Sequence, residues 1–381
     1  MTIRILHLIT SLDTGGAERM LEKLVTGMDH GRFRNVVVSL KDEGVIGPRL
    51  RQAGIAVHAL GMRGGIALPG RMLALARLIA NMQPDILQTW LYHADLAGTL
   101  AHAFSGSRSL LAWNLRCSDM NLADYAASTR LVLRADAVLS RRPAFIITNS
   151  EAGKRHHVAL GYRPKRWIDI PNGFDMTVFR PQPDAAGALR RELGLPDTAR
   201  LAGMLARLDP MKDHGTFIAM AEQLAGREPD LHFLLAGRGC TAANAMLAAA
   251  RQRLGGRLHL LGERQDVPAL LAGLDVFLLT SAYGEGFPNV LGEALATGTP
   301  CVATDVGDAA AILGDCGIVT KPRDPQALAA AVMQVLARSP EQRAEMQSLA
   351  RRRAEENFSL PTIVARYEAV YAEAAAARGI R

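Results

Sequence analysis

Short apolar runs rich in β-branched residues alternate along this chain with longer stretches whose apolar positions recur at helical spacing. In the first half the runs are Ile3–Ile9, Asn35–Leu40, Ile55–Ala59, Ile86–Gln88, Leu110–Trp113, Phe145–Thr148 and Trp167–Ile170. In the second they are Leu201–Leu205, Leu231–Ala236, Leu258–Leu261, Val276–Leu279, Pro300–Ala303 and Gly317–Val319. Helical patterns such as Ala17–Thr26, Arg71–Ala80 and Asp213–Leu224 stand between most of them. Strands joined through helices by short connections predict parallel sheets covered on both faces. The pattern runs through twice, so it predicts an α/β chain of two doubly wound, Rossmann-like domains facing each other across a cleft. The seam falls between Ile170 and Leu201, where Pro171-Asn-Gly173 signals a turn and Phe179-Arg-Pro-Gln-Pro183 is broken by prolines. The expected domains are 1–175 and 176–358. A last helix is predicted from Phe358 to Ala377, with Ser359 as N-cap and Pro361 in its first turn.

Composition narrows the classes. The chain has 381 residues, too many for one comfortable core and suited to two. No apolar stretch approaches the roughly 18 residues that span a bilayer. The run after Met1 is short and interrupted by polar residues, so it reads as a first buried strand rather than a leader, and a cytoplasmic protein is expected. Cys117, Cys240, Cys301 and Cys316 are scattered without a Cys-x-x-Cys pair, which argues against a zinc site and a disulfide framework. A net charge of +7 suits nucleic acid, an anionic membrane or phosphorylated substrates. Nucleic acid is the least supported, since no helix-turn-helix, zinc-finger or ribonucleoprotein pattern occurs.

Parallel sheets bind ligands beyond the carboxyl ends of their strands, so the loops after strands carry the candidate chemistry. The richest runs from Thr280 through Tyr283-Gly-Glu-Gly-Phe-Pro-Asn289 to Gly298. Gly284 and Gly286 let backbone approach a ligand, Pro288 suits a first helical turn, and Gly298 suits a C-terminal cap. The helix start offers free N–H groups and partial positive charge to an anion such as a diphosphate. Glu285 in the loop can reach a sugar, while Glu293 in the helix can accept hydrogen bonds from a ribose diol. Two glutamates with seven residues between them, the first followed by Gly-Phe-Pro, resemble the signature of the family-4 retaining glycosyltransferases.

Other segments carry the same resemblance. Arg207 and Lys212 lie in Gly203-Met-Leu-Ala-Arg-Leu-Asp-Pro-Met-Lys-Asp213, after the run Leu201–Leu205. Two cations there can neutralise a leaving nucleoside diphosphate, the task of a divalent metal in other transferases. No Asp-x-Asp pair supplies a competing magnesium or manganese site. The segment is similar to the family's Gly-Arg-Leu…Lys-Gly element, departing from it at Ala206 and Asp213. Ser11-Leu-Asp-Thr-Gly-Gly-Ala-Glu-Arg19 resembles the family's amino-terminal turn, where Gly15 and Gly16 would bring N–H groups to donor phosphate or acceptor. Asn172-Gly-Phe-Asp175, Gly237-Arg-Gly239 and Gly262-Glu-Arg264 match smaller elements at the domain junction, near the base or diphosphate, and on the nucleobase.

The resemblance implies a GT-B-type fold and a metal-independent hexosyl- or N-acetylhexosaminyl-transferase with no cofactor. It implies a nucleotide diphosphate sugar donor, in particular a UDP-sugar. Gly15, Gly16, Arg207, Lys212, Gly237, Arg264, Glu285, Gly286, Phe287, Pro288, Asn289 and Glu293 would hold that donor. Glu285, His93, Arg207 and Lys212 would carry the chemistry. His93 follows the run Ile86–Gln88; it could bond the sugar, take the acceptor's proton, or simply cap a helix. Asp95 and Arg116 are placed on the acceptor side in the same way. The first domain would bind the acceptor and the second the donor, with helix 359–381 packing back on the first. The implied acceptor is a glycan or lipid-linked saccharide of cell-surface polysaccharide or oligosaccharide synthesis. Tyr125–Arg142 carries Arg130, Arg134, Arg141 and Arg142 beside Leu131, Val132, Val138 and Leu139, which suits peripheral contact with an anionic cytoplasmic membrane face; an ordinary packed helix with a solvated basic face fits equally. An epimerase or hydrolase on this scaffold, or a non-catalytic nucleotide-sugar-binding partner, remain the alternative functions.

Overall fold

The computed structural model of this chain describes residues 2–62, 69–116 and 126–379. It forms two compact units, one of Met1–Gly173 with Leu360–Arg381, the other of Phe174–Ser359. The first unit holds strands β1 (Ile3–Ile9), β2 (Phe33–Ser39), β3 (Ala56–Ala59), β4 (Ile86–Trp90), β5 (Leu110–Leu115), β6 (Phe145–Thr148) and β7 (Trp167–Asp169). They pair in parallel in the order β3-β2-β1-β4-β5-β6-β7. The second holds β8 (Arg200–Leu205), β9 (Leu231–Ala236), β10 (Leu258–Gly262), β11 (Val276–Leu279), β12 (Cys301–Thr304) and β13 (Gly317–Thr320). These too are parallel, in the order β10-β9-β8-β11-β12-β13.

The apolar runs form central strands because both of their faces are covered. In β1, Ile5 and Ile9 enter one core while Leu6 and Leu8 enter the other. In β11, Val276 and Leu278 face one layer and Phe277 and Leu279 the opposite one. Burial on both sides is why these strands read as continuous apolar runs rather than alternating ones. The strand order reverses between β1 and β4 in the first unit, and between β8 and β11 in the second. At such a switch point neighbouring loops diverge and leave a crevice at the carboxyl edge.

The last helix, Leu360–Ala377, belongs to the first unit. Its Ile363, Tyr367 and Tyr371 are fully buried in the core beneath β1 and β4. The Tyr371 hydroxyl donates to Gln88 at 3.3 Å, and Asn114 donates to the Tyr367 hydroxyl at 2.9 Å, so the rings keep polar partners inside the core. Ser359 is the C-cap of the preceding helix, Pro340–Phe358. No described helix is long and apolar enough to cross a membrane.

One buried pair in the first unit works against folding at neutral pH. Asp136, on the helix Ala127–Leu139, is fully buried, and neither carboxyl oxygen has a hydrogen-bond partner among the described residues. Burial pushes its pKa up to about 10, and the nearby Asp95 pushes the same way. The folded chain therefore holds a proton here that the unfolded chain releases once pH exceeds the ordinary carboxylate value. Across neutral and mildly alkaline pH the unfolded state binds fewer protons, so stability falls as pH rises. Asp136→Asn should reduce that slope to the share carried by Asp95 and raise the melting temperature at pH 8 by several degrees. An unchanged or lowered melting temperature at pH 8 would show that Asp136 is charged and paired instead.

Candidate functional site

In the second unit, the loops after β8 and β11 flank the strand-order reversal and carry the acidic and basic residues singled out in the sequence. After β8 the chain passes Ala206 and Arg207 into a single 3₁₀ turn, Pro210–Lys212. Asp209 caps this turn by accepting the Met211 N–H at 3.0 Å. Its neighbour Asp213 sits at φ +48° and accepts the Thr216 N–H at 3.1 Å, starting the helix His214–Ala225. Burial disfavours the Asp209 carboxylate, but the Met211 amide and the Arg207 guanidinium outweigh it and hold the group below its usual range. The Arg207 Nε donates to Asp209 at 3.0 Å.

The two loops are tied together through their backbones. The Ala282 N–H donates to the Met211 carbonyl at 2.8 Å, and the Thr280 hydroxyl donates to the Lys212 carbonyl at 2.9 Å. This lashing brings Lys212 against Glu285, and the ammonium and carboxylate form an ion pair. Only 13 % of the Lys212 side chain and 7 % of that of Glu285 are exposed, so the pair is largely desolvated. The Ser281 hydroxyl donates to the same Glu285 oxygen at 2.5 Å. In so dry a setting each group needs the other, because removing one leaves a buried charge uncompensated.

The acid loop has a further support on its other side. Gly307, after β12, sits at φ +64°, and a Cβ there would lie 2.5 Å from the Glu285 carbonyl oxygen. The Asp308 N–H donates to the Gly286 carbonyl at 2.9 Å. Sequence reasoning placed Thr280 and Ser281 in the motif without a role for either, and it missed Gly307. A glycine following a predicted strand was the one available signal, and it gives no hint of the segment it touches.

Phe287 is turned inward. Its ring lies 6.1 Å from that of Phe174 and 5.5 Å from that of Phe358, within the apolar core, so Phe287 can offer a ligand little beyond its backbone. Gly292, on the following helix, is where the Phe174 ring passes over; an added Cβ would come within 2.3 Å of it. Pro288 is the N-cap of that helix, Asn289–Ala296, one position earlier than the first-turn placement expected of it. Gly298 sits at φ +74° just beyond the helix end, and its N–H donates to the Leu295 carbonyl at 3.0 Å.

At the same carboxyl edge a cavity of about 360 Å³ opens, lined by Arg207, Gly237, Arg264, Val290 and Glu293, while Lys212 and Glu285 stand outside its described lining. Gly237, at φ +142°, lets the β9 loop press against the β8 loop, since a Cβ would strike the Ala206 carbonyl at 2.1 Å. The Arg207 side chain is 53 % exposed and stays available to an anion despite its Asp209 contact. Arg264 is different: Glu192 and Asp266 hold its guanidinium at 2.5 and 2.6 Å and raise its basicity. Its charge is already met. Arg207, Lys212, Gly237, Arg264, Glu285 and Glu293 are thus gathered at one carboxyl edge. Among the described residues, no group of three His, Cys, Asp or Glu side chains is placed to hold a metal ion.

The first unit's candidates lie at its own strand-order reversal. Gly15 is the N-cap of the helix Gly16–Gly27, where Glu18 folds back so closely that a Cβ on Gly15 would meet its carboxylate at 2.2 Å. Burial raises the pKa of Glu18 above its usual range. His93 is half-buried in the first turn of the helix Tyr92–Ser105, after β4; burial and the charge of Lys41 push its ring below the usual range, leaving a neutral imidazole at pH 7. Its neighbour Leu91 holds φ +71°, a backbone region costly for a branched residue. The Asp95 carboxyl faces inward: it is fully buried, accepts from the Thr89 hydroxyl, and is kept largely protonated by burial. Arg116 is engaged within the unit, donating to the Tyr367 hydroxyl at 2.9 Å and to Asn172, with its guanidinium 5.6 Å from the Trp90 ring centre. Cys117 and Tyr125 lie outside the described residues.

Sequence comparison agrees with this architecture. Residues 15–173 match the family model "Glycosyl transferase 4-like domain", and residues 199–338 match "Glycosyl transferases group 1". The structure superposes on HepE of Anabaena, solved in complex with UDP, with a TM-score of 0.82 and 26% identity over 97% of this chain and 100% of that one. The putative glycosyltransferase EpsF of Bacillus subtilis is 25% identical over 79% of each chain. An α-1,3-galactosyltransferase of Escherichia coli acting with UDP-Gal on GlcNAc-diphosphoundecaprenol is 33% identical over 38% of each. Two parallel sheets with repeated strand order, and the ion pair at a switch point, define the class as a GT-B-fold enzyme. The chain belongs to the group 1, GT4-like glycosyltransferase family, whose members bind nucleotide sugars.

Proposed function

We propose that the protein transfers a hexose or N-acetylhexosamine from a UDP-sugar to a glycan or lipid-linked saccharide, with retention and without a metal ion. The desolvated Lys212–Glu285 pair, at the same carboxyl edge as the cavity lined by Arg207 and Glu293, carries this reading. Arg207 and Lys212 place two positive charges where a departing diphosphate needs them, and fixed charges in a dry site stabilise such a leaving group strongly. Glu285 accepts hydrogen bonds from the sugar, and Glu293 from the ribose. The acceptor hydroxyl attacks the anomeric carbon on the side from which the diphosphate departs. Residues 1–175 take the acceptor, with His93 near its hydroxyl, and residues 176–358 take the donor. The occurrence of UDP in HepE supports the choice of nucleotide.

A panel of nucleotide sugars read by thermal shift tests the donor. At a hundredfold excess over Kd, a true donor should add about 2.7 kcal/mol of stability. Transfer with that donor should persist in EDTA, and NMR of the product should show the donor's anomeric configuration kept. Activity lost in EDTA and restored by manganese or magnesium would reject the metal-independent step, and an inverted product would reject retention.

The helix Ala127–Leu139 supports contact with an anionic membrane face at which a lipid-linked acceptor would lie. Leu131 and Val138 are 68 % and 78 % exposed, with Arg130 and Arg134 exposed beside them. Exposed apolar anchors flanked by arginines suit an interfacial helix, each cation near the surface adding about 1 kcal/mol. Leu131→Asp/Val138→Asp should abolish co-sedimentation with phosphatidylglycerol vesicles. Equal sedimentation of variant and parent would remove the membrane from this reading.

A further inference from the structure

The first unit has a second cavity, of about 640 Å³, at the amino edge of its sheet. Its walls come from residues that precede strands: Ser109 before β5, Arg142 before β6 and Lys165 before β7. Arg378, just past the last helix, and His102, near the end of the helix Tyr92–Ser105, complete the polar side. The loops discussed above sit at the opposite, carboxyl edge of the strands.

The electrostatics of this cavity are one-sided. Three full cations border it, and no carboxylate is among its described lining residues. Like charges gathered around one volume repel each other, and an anion in their midst relieves that repulsion. The ends of three helices converge here, and cations are favoured at helix C-termini, so part of this charge offsets helix dipoles. A helix end carries only about half a negative charge, however, and cannot neutralise three cations. The Arg378 guanidinium donates to the Arg108 carbonyl, and a His102 ring nitrogen lies 3.0 Å from the Ser109 carbonyl, so both are held in place. The lining also carries apolar side chains, among them Leu100 and Leu139. One helical turn beyond Leu100, the Phe104 ring is 82 % exposed, an unusual position for an aromatic side chain.

We propose that this cavity is a binding site for a phosphate or diphosphate group borne on an apolar chain. The anion lies among Arg142, Lys165 and Arg378, and the apolar part lies along Leu100, Leu139 and Phe104. The site is separate from the donor cavity and does not rest on the activity proposed for it.

Calorimetric titration in saturating UDP tests this with two probes, inorganic pyrophosphate and dodecyl phosphate below its micellar concentration. Both should bind the parent chain, dodecyl phosphate at least tenfold more tightly, which points to a lipid headgroup as the source. Equal affinity for the two would support the anion site and overturn the apolar half of the proposal, identifying a soluble phosphate. Lys165→Ala/Arg378→Ala should weaken both probes at least tenfold while the melting temperature is kept, because both side chains are exposed. Arg142→Ala, a separate exposed position, should weaken them in the same direction. No binding of either probe, or binding that these variants leave unchanged, overturns the site.

Discussion

Lys212→Ala is expected to lower turnover by about a hundred- to a thousandfold, measured as donor consumed in the presence of acceptor. Lys212 supplies one of the two charges proposed to receive the diphosphate, and it is also the ion-pair partner of Glu285. Its loss strands a carboxylate that is 93 % removed from solvent, a situation that typically costs about 3–5 kcal/mol. The variant should therefore melt at a lower temperature as well as turn over slowly. The two effects can be separated. Lys212→Ala/Glu285→Gln removes the stranded charge, so it should recover most of the lost stability while staying inactive. Near-parental turnover in either variant would take Lys212 and Glu285 out of the reaction.

Gly307→Ala is the second large effect, and it comes from a residue with no chemistry of its own. The substitution adds one methyl group at φ +64°, where a non-glycine residue costs about 1–2 kcal/mol, and places it 2.5 Å from the Glu285 carbonyl. Neither strand end can yield easily, because β12 is buried between β11 and β13. The acid loop must move instead. A displacement of about 1 Å in a positioned group can lower turnover roughly a hundredfold, so kcat should fall by ten- to a hundredfold with the far-ultraviolet circular dichroism unchanged. Unaltered kcat would show that the loop tolerates the shift and that Glu285 is not positioned by this contact.

Much of the architecture is legible in the sequence because strands buried on both faces announce themselves. Ile3–Ile9, Leu231–Ala236 and Val276–Leu279 are strands from end to end as their apolar runs indicate. Boundaries blur where a polar residue is buried for a tertiary reason. β5 continues through Asn114 to Leu115, beyond the run ending at Trp113, since Asn114 finds its partner in Tyr367, 253 residues away. At the site, Glu285, Glu293, Arg207 and Lys212 stand out by motif and by position after strands. Their pairing does not, because Lys212 meets Glu285 through loops lashed together by the hydrogen bonds from Ala282 to Met211 and from Thr280 to Lys212. Phe287 shows the converse limit. It sits in a loop of glycines and charges, yet its ring belongs to the core, since a large apolar side chain in a polar loop gains more from burial than from solvent.

Phe174 and Phe358, both in contact with Phe287, also mark where the second unit's stretch of chain begins and ends. The Phe174 N–H donates to the Phe358 carbonyl at 2.8 Å, and Phe174 pairs with Ser359 as an isolated bridge. Entry and exit of 186 consecutive residues therefore meet at one point. A segment whose ends already touch can be excised, grafted or permuted as a cassette without stretching its host, which gives evolution a ready way to replace the whole second unit in a single recombination.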